Sequence, residues 1–252
     1  MEREEQRERA WDELVTQVQD GLSSAGLDLV TDFEVAAYDR EVSEEFRLGS
    51  GESPGVSGIL IGNTRSLWTP FIKALGQSAS LRASSNPLND YVEEVVSGVV
   101  ASLKYPVVVR FGHDGGTPVA LQRLAEVAGL AHLSRSHLSV HSVYGPWISL
   151  RAALIVDHPY RVLKRAAESP CTEECDNAAF GLFEEAVLVM GNQRRHEAVR
   201  EDWRRWVRVR DACEVGRAFR FSEEQLLYHY THDSQILWSE LRHVSGAVDG
   251  EG

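Results

Sequence analysis

The sequence predicts an α+β fold in which helices and strands are mixed along one chain. Residues 2 to about 25 carry apolar side chains at helical spacing, and Gly26 follows them as a stop signal. Residues 105–111 have the length and the branched side chains of a buried strand. Residues 147–156 follow the turn signal Tyr-Gly-Pro and have the same strand character. One amphipathic helix and two buried strands therefore indicate the fold class.

The other elements complete this prediction in chain order. We expect a strand at 27–38, a flexible loop at 48–58, a strand at 59–61, helices at 64–76, from Asn86-Pro87 onward and from Thr117-Pro118 to Gly129, a strand at 136–142, and mixed helix and loop at 171–190. A capping box from Ser222 to Gln225 predicts the start of a last helix. The sequence has no internal repeat or linker, so we expect one domain over residues 1–245 and a disordered tail over 246–252.

The composition of the 252-residue chain excludes several functions. A formal net charge of −12 argues against nucleic acid as a principal partner, because binding phosphates needs a positive surface. No apolar segment has the length of a membrane span, and the acidic N-terminus is unlike a signal or transit peptide. Three cysteines do not make a disulfide framework. We therefore expect a reduced, cytoplasmic protein.

The strand at 147–156 has one apolar face and one mixed face, because strand side chains alternate. Alternation places on the apolar face Ile148, Leu150, Ala152, Leu154 and Val156. It places on the mixed face Trp147, Ser149, Arg151, Ala153 and Ile155. A cation between small residues and beside an indole is typical of a pocket that holds an anion. A strand whose Arg151 pairs with a nearby acid would show the same pattern, so both interpretations stay open.

A second candidate cation lies in residues 194–220, where nine arginines and five acidic residues make a basic block in an acidic chain. One helical face of this block consists of Trp203, Trp206, Val207 and Arg210, while another consists of Arg200, Arg204 and Arg208. Arg210 therefore points with the tryptophans toward the body of the protein. An anion held by Arg151 and Arg210 together would need carboxylate or phosphate groups, because these accept charge-assisted hydrogen bonds from guanidinium groups.

Histidine and cysteine spacings hint at metal chemistry, but none of them provides a complete ligand set. The two histidine patterns are His137 with His141 and His229-x-x-His232-Asp233. We expect these to be surface or structural histidines, and we expect no metal site. The cysteines fall short of the four thiolates of an iron–sulfur cluster, so ordinary cysteines are expected, with a reactive thiol in a pocket as the alternative. Signatures of NTPases and serine hydrolases are absent from the sequence.

Segments spread over most of the chain resemble the CblC (MMACHC) family of cobalamin-processing proteins. The matching segments, in the same order, are Phe33 to Tyr38, Ile59 to Asn63, Trp68 to Leu75, Glu126 to Ala131, Ser136 to Arg151, Trp206 to Ala212, and Arg220 to Tyr228. The most specific of them is Ser136-x-x-x-Val-His141-x-x-Tyr-Gly-x-Trp-x-x-Leu-Arg151. Several anchors in one order are a stronger signal than any single motif.

This resemblance implies a nitroreductase-like fold with a mainly antiparallel central sheet flanked by helices. It also implies a protein that holds cobalamin with its lower base detached and removes the upper axial ligand. Removal would be either cyanocobalamin reduction with loss of cyanide, using reduced flavin (FMN or FAD), or dealkylation with glutathione as co-substrate. A downstream cobalamin-trafficking protein would receive the product from a monomer or homodimer.

The resemblance further assigns residues to roles. Arg151 and Arg210 match arginines that grip the carboxylates of glutathione, and they are the predicted catalytic pair. The predicted cobalamin-binding residues are Ser136, His141, Tyr144, Gly145, Trp147, Ser149 and Leu150.

Two departures from the family pattern keep other functions open. A third family arginine has no counterpart, because the aligned region here is Ser234-Gln-Ile-Leu237. The connection before Ser136 is reduced to the residues from His132 to Arg135. We therefore also consider a non-catalytic corrinoid carrier, and a flavin-dependent reductase of small molecules on the same fold.

Overall fold

The structure is a computed structural model that describes residues 2–49, 57–113, 118–158, 167–191 and 194–248, without the side chains of 195–196 and 244–248. Within these residues, four strands form one antiparallel sheet in the order β1–β2–β6–β3, and two short strands form a separate pair, β4–β5. The strands are β1 Leu29–Glu34, β2 Ser57–Asn63, β3 Val107–Phe111, β4 His132–Leu133, β5 Ser139–Val140 and β6 Ser149–Val156. The strand order makes β2 and β6 the two central strands, and all residues of β2 are buried.

Helices cover both faces of this sheet. The described helices are α1 Glu2–Ser23, α2 Val35–Asp39, α3 Trp68–Gln77, α4 Ala79–Ala83, α5 Pro87–Ala101, α6 Leu121–Val127, α7 Glu173–Met190, α8 Arg195–Glu201, α9 Trp203–Asp211, α10 Glu223–Thr231 and α11 Ser234–Val248. None of the helices in the described part of the chain is both long enough and apolar enough to cross a membrane.

The core has three parts, and each follows from an apolar face in the sequence. One face of the sheet, with Ile59 and Leu154, packs against α1, α3 and α5. The opposite face, with Leu60 and Ala153, packs against α2 and α6. A third cluster joins α9 and α10 to the segment before β6 and contains Trp147, Trp203, Val207, Phe221 and Leu226. This third cluster matters for function because it fixes the helix that carries Arg210.

A bulge in β6 changes the predicted faces of this strand. The register shifts so that Ala152 is opposite Ile61 while Leu150 is opposite Gly62, which leaves Arg151 as an extra residue. Because of this shift, Ile148 and Leu150 pack on the α2–α6 side together with Ala153. The predicted single apolar face from Ile148 to Val156 is therefore wrong. An extra residue reverses the alternation, so side chains before and after it exchange faces.

Several predicted boundaries are confirmed and others are wrong. The helix over 2–25, its stop at Gly26 (φ +79°) and the helix opened by Pro87 are confirmed. The strand predicted at 27–38 ends at Glu34, where α2 begins and buries Tyr38. The strand at 59–61 is longer, since Ser57 and Gly58 belong to β2.

The segments around the site differ most from expectation. The helix predicted to start at Thr117 begins at Leu121, and Thr117 itself lies outside the described residues. The predicted strand at 136–142 is reduced to Ser139–Val140, because His137 takes a left-handed conformation (φ 58°) and makes a turn.

The C-terminal part contains more helix than predicted. Residues 173–190 form the continuous helix α7, capped by the Thr172 hydroxyl, which accepts from the Cys175 N–H at 3.2 Å. The backbone of residues 246–248 is helical where a disordered tail was expected to begin. Residues 249–252, and residues 50–56 of the predicted loop, lie outside the described residues.

Candidate anion-binding site

A cavity of about 230 Å³ lies where α6, α9 and α10 meet the beginning of β6. Its lining residues come from five separate parts of the chain and are Leu121, Gln122, Leu138, Ser139, Pro146, Ile148, Ser149, Leu150, Arg151, Arg210 and His229. Both predicted arginines are among them. Their convergence is the geometric feature that the sequence interpretation required.

The β6 bulge positions Arg151. Its Nε donates a hydrogen bond of 2.6 Å to Oδ1 of Asn63, the last residue of β2. Asn63 is fully buried, and its Nδ2 in turn donates to the carbonyl of Thr64 at 2.6 Å. The chain of contacts fixes the guanidinium plane and leaves its two terminal nitrogens without a partner among the described residues. Burial lowers the pKa of Arg151 to about 10, so the side chain is still cationic at neutral pH.

The third core cluster positions Arg210. Trp203 and Val207, on the same side of α9, are buried in that cluster, so Arg210 is directed inward. Its Nη1 donates to the carbonyl of Pro146 at 3.1 Å, and its Cζ lies 5.8 Å from the centre of the Tyr230 ring. The helical-face prediction for Arg210 is thereby confirmed.

Among the described residues, no acid neutralises either cavity arginine. In the part of the chain that the structure describes, no carboxylate lies within salt-bridge distance of Arg151 or Arg210. Arg220, by contrast, pairs with both Asp211 and Glu223. The alternative interpretation, in which Arg151 pairs with a nearby acid, is therefore wrong for the described residues. Burying a guanidinium without a counter-charge is costly, and an anionic ligand in the cavity would offset that cost.

His229 adds a neutral imidazole to the same cavity. Burial is the main reason that its pKa lies well below the ordinary value, and the positive charges of Arg151, Arg210 and His232 lower this pKa further. At neutral pH the ring is therefore uncharged and offers one donor and one acceptor. The cavity thus combines two cations with one group that can exchange a proton.

Unpaired polar atoms make the cavity a candidate ligand site. The Ser139 and Ser149 hydroxyls and the Arg210 Nε are buried and have no hydrogen-bond partner among the described residues. Each such buried group costs about 1–3 kcal/mol unless it is satisfied. A polar ligand or ordered water in the cavity would satisfy all three.

A second, larger cavity of about 560 Å³ lies between α3, α4 and α5. Its lining includes the acidic side chain of Glu94 but no arginine, lysine or histidine. It therefore lacks the cationic groups that the first cavity provides for an anion.

Four of the nine predicted site residues line the first cavity, and they are Ser149, Leu150, Arg151 and Arg210. Trp147, predicted as an aromatic wall, does not line it. The Trp147 side chain is 1% exposed, packs against Phe221 with ring centres 5.9 Å apart, and lies under Arg220 at 5.4 Å. The indole therefore supports the site from behind.

The other four predicted residues lie outside the lining of the cavity, and three of them, His141, Tyr144 and Gly145, form one turn. His141 and Gly145 exchange two backbone hydrogen bonds of 2.9 Å, and His141 Nδ1 accepts from the backbone N–H of Tyr144 at 3.2 Å. Burial lowers the pKa of His141, which favours the neutral ring that this acceptor role needs. The Ser136 hydroxyl is buried beside that of Ser134, at 2.9 Å. Contact of these residues with cobalamin stays a prediction.

Sequence reasoning missed three polar residues of the site. Asn63 lies 88 residues from Arg151, and only the β2–β6 pairing brings the two together. Ser139 falls within the predicted strand at 136–142, and nothing in the sequence assigns its side chain to a site. His229 was noted for its spacing to His232 and interpreted as structural, although it faces the cavity. Knowledge of the strand register would have found the first of these.

The fold is similar to that of a B12-trafficking protein CblC from C. elegans, a human MMACHC homologue, with a TM-score of 0.69. The sequences are 16% identical, and the similarity covers 90% of this chain and 94% of that chain. An epoxyqueuosine reductase from Bacillus subtilis gives a TM-score of 0.39 at 14% identity, over 71% of this chain and 54% of that one. An epoxyqueuosine reductase with a modified tRNA-Tyr stem loop gives 0.47 at 13% identity, over 86% and 68%. The sequence matches no protein-family model and no curated protein.

These findings define the class of fold first. The chain has the predicted α+β, nitroreductase-like architecture, with a mainly antiparallel central sheet flanked by helices. Within that class, its resemblance to the CblC family is confirmed at the level of the fold.

Proposed function

We propose that this protein binds cobalamin and removes its upper axial ligand, with the cavity between Arg151 and Arg210 holding the carboxylates of glutathione. One observation carries the proposal, namely two acid-free arginines that converge on one cavity in a fold shared with a B12-trafficking CblC protein. The terminal nitrogens of Arg151 are available for a bidentate grip on a carboxylate. Arg210 and the serine hydroxyls of the cavity provide further donors.

The size of the cavity determines which of the two proposed ligands it can enclose. At about 230 Å³ it is smaller than the roughly 300–1,000 Å³ of pockets that enclose drug-sized molecules. It accommodates the anionic end of a small peptide, while a corrinoid is too large to be enclosed and would have to bind across the open side. A flavin is also larger than the cavity, so we assign no step to bound flavin.

In the proposed dealkylation the protein positions the thiol and cobalamin carries out the bond exchange. The glutathione thiol releases its proton to solvent, the resulting thiolate sulfur forms a bond to the alkyl carbon, the cobalt–carbon bond breaks, and its electron pair stays on cobalt. Gripping the carboxylates makes the attack effectively intramolecular, which is a large source of rate acceleration. In the proposed decyanation, free reduced flavin donates electrons to cobalt, and cyanide leaves as cobalt is reduced. The protein contributes orientation and a site from which water is excluded.

The first test is spectroscopic and uses the full chain. Purified protein is mixed with methylcobalamin or cyanocobalamin, and the visible bands are followed. We expect a shift to the base-off spectrum, then conversion on adding glutathione or reduced flavin. No shift with either cobalamin would contradict the proposal.

The second test addresses the arginines. Arg151→Ala and Arg210→Ala should each raise the KM for glutathione roughly ten- to hundredfold, because a hydrogen bond to a charged group is worth about 1.5–3 kcal/mol. The base-off shift should persist in both variants. Arg208→Ala is the matched control, since Arg208 lies on the same helix but is exposed. Equal KM values in all three variants would contradict the assigned role.

A non-catalytic corrinoid carrier is the second candidate. The lining of the cavity favours this function, because it contains two arginines and a neutral histidine but no third arginine among the described residues. A base-off shift without turnover would identify this function. No shift together with a bound yellow flavin would instead identify a flavin-dependent reductase.

A further inference from the structure

All three cysteines of the chain meet at one place, and none of them lines the cavity described above. Cys171 and Cys175 lie at the beginning of α7, and Cys213 follows the end of α9. Their sulfur atoms all lie within 4.8 Å of one another, and those of Cys171 and Cys213 are 3.5 Å apart. Residues about 40 positions apart in sequence have been brought together by the packing of two helices.

Backbone contacts fix each cysteine before any ligand is considered. The Thr172 hydroxyl accepts from the Cys175 N–H at 3.2 Å, which places Cys175 in the first turn of α7. The Cys213 N–H donates to the Arg210 carbonyl at 3.1 Å, which continues the turn at the end of α9. Cys213 is 3% exposed, whereas Cys171 and Cys175 are half-buried, so the cluster can be reached from one side.

The sulfur separations match those of a metal bound by thiolates. Zinc–sulfur bonds are about 2.3 Å long, so two thiolates in a tetrahedral or trigonal site lie about 3.8–4.0 Å apart. The observed range, from 3.5 Å to at most 4.8 Å, brackets that spacing. Small rotations of the side chains would bring all three sulfur atoms onto one ion.

The grouping of three thiols favours a metal site over a disulfide. A bound metal ion deprotonates each thiol that coordinates it, so the three thiols would become three thiolate ligands. A disulfide would use two of the three sulfur atoms and leave the position of the third unexplained.

We propose that Cys171, Cys175 and Cys213 form a three-thiolate site for one thiophilic metal ion such as Zn(II). In the described residues no fourth histidine, cysteine or carboxylate joins this group, which leaves a fourth position for water or a small ligand. Soft thiolate ligands select such ions over hard cations like Mg²⁺. The bound ion would tie the start of α7 to the end of α9.

The test uses reduced, metal-free full-length protein titrated anaerobically with Cd(II). We expect one equivalent to saturate the ultraviolet thiolate-to-cadmium charge-transfer band, and Zn(II) to abolish that band by competition. Cys213→Ser should weaken Cd(II) binding by at least tenfold. Glu174→Gln is the matched control, because this exposed carboxylate lies in the same helical turn as Cys175 but outside the cluster. Equal Cd(II) affinity in both variants would overturn the proposal.

A variant-free measurement covers the case in which Cys213→Ser fails to fold. The thiols of the wild-type protein are alkylated with iodoacetamide in the absence and the presence of one equivalent of Cd(II). Protection of all three thiols by the metal supports the site. Alkylation at the same rate with and without the metal would overturn it, as would a disulfide between Cys171 and Cys213 that forms equally fast under both conditions.

Discussion

The orientation of Arg151 depends on a single neighbouring side chain. Its guanidinium donates to Asn63, and Asn63 is itself fixed by the carbonyl of Thr64. Because the Arg151 Nε is occupied in this way, its terminal nitrogens are the ones presented to the cavity. Asn63 is therefore a positioning residue for the proposed carboxylate grip.

Asn63→Ala should raise the KM for glutathione roughly tenfold, because the guanidinium loses a charge-assisted hydrogen bond that fixes its plane. The change should affect KM more than kcat and should leave the base-off shift intact. Asn177→Ala is the matched control, since Asn177 accepts from Arg135 at 2.8 Å on the surface. A KM equal to that of the control would show that Arg151 does not need this partner.

Acid should destabilise the protein through His229. Its pKa is depressed in the folded state, so below the ordinary histidine pKa of about 6.5 the unfolded chain binds a proton that the folded chain excludes. The stability present at neutral pH is therefore lost as pH falls from about 6.5 toward that lower pKa. His229→Gln should flatten the loss in unfolding free energy between about pH 7 and pH 5.

The measurement is urea unfolding at each pH. His141 and His232 also have pKa values below the ordinary one, so part of the acid dependence should remain in the variant. His243→Gln is the control, since this side chain is exposed on α11. An acid dependence that is the same in His229→Gln as in the wild type would contradict the assignment.

At the residue scale, the sequence predicted the positions of Arg151 and Arg210 better than it predicted the positions of the residues around them. Helical spacing was enough to predict that Arg210 points inward, because Trp203 and Val207 lie on the same side of α9. The position of Arg151 at a cavity is confirmed, but the reason for predicting it is only half correct. The predicted indole wall is absent, and buried Trp147 stands behind the site instead.

At the element scale, the turn before β6 is the part of the scaffold with the least tolerance for change. Gly145 has φ +58°, and a Cβ on it would lie 1.8 Å from the carbonyl oxygen of Val215. The following residue, Pro146, accepts the hydrogen bond from Arg210. This turn therefore couples the start of β6 to α9.

Gly145→Ala should destabilise the fold by more than about 2 kcal/mol, because it combines a left-handed backbone with a clash against the main chain. Gly98→Ala is the matched control, since a Cβ there meets nothing within 4 Å and Gly98 lies inside α5. The control should be stabilised by roughly 0.5–1 kcal/mol through helix propensity. Urea unfolding compares the two, and similar stabilities would contradict the structural role of the turn.

Features that depend on neighbouring residues in sequence were predicted correctly, whereas features that depend on how one strand pairs with another were not. The capping box of α10 is confirmed, with the Ser222 hydroxyl accepting from the Gln225 N–H at 3.1 Å. The alternation of β6 failed at its bulge, because a register shift depends on the partner strand and leaves no mark in the sequence.

At the scale of the whole molecule, the site exists only because distant segments converge. The cavity is lined from α6, α9, α10, residues 138–139, residue 146 and residues 148–151, and Arg151 is oriented from β2. The fold class could be predicted, since it follows from segment character and from the family resemblance. The composition of the site could be predicted only in part, because it depends on which segments become neighbours in three dimensions.

A formal net charge of −12 gives the small basic cavity added importance. An anion approaching this chain meets a surface that on average repels it, so attraction must come from groups at short range. Arg151 and Arg210 provide that attraction where no described acid cancels it.

The extra residue in β6 divides the strand into two parts with different surroundings. On the C-terminal side of Arg151, Ala152, Leu154 and Val156 are fully buried and serve the interior. On the N-terminal side, Ser149 and Leu150 face the ligand cavity. A scan of substitutions along this strand should therefore change in effect at Arg151: substitutions before it should weaken the proposed ligand binding, and substitutions after it should lower the stability of the fold.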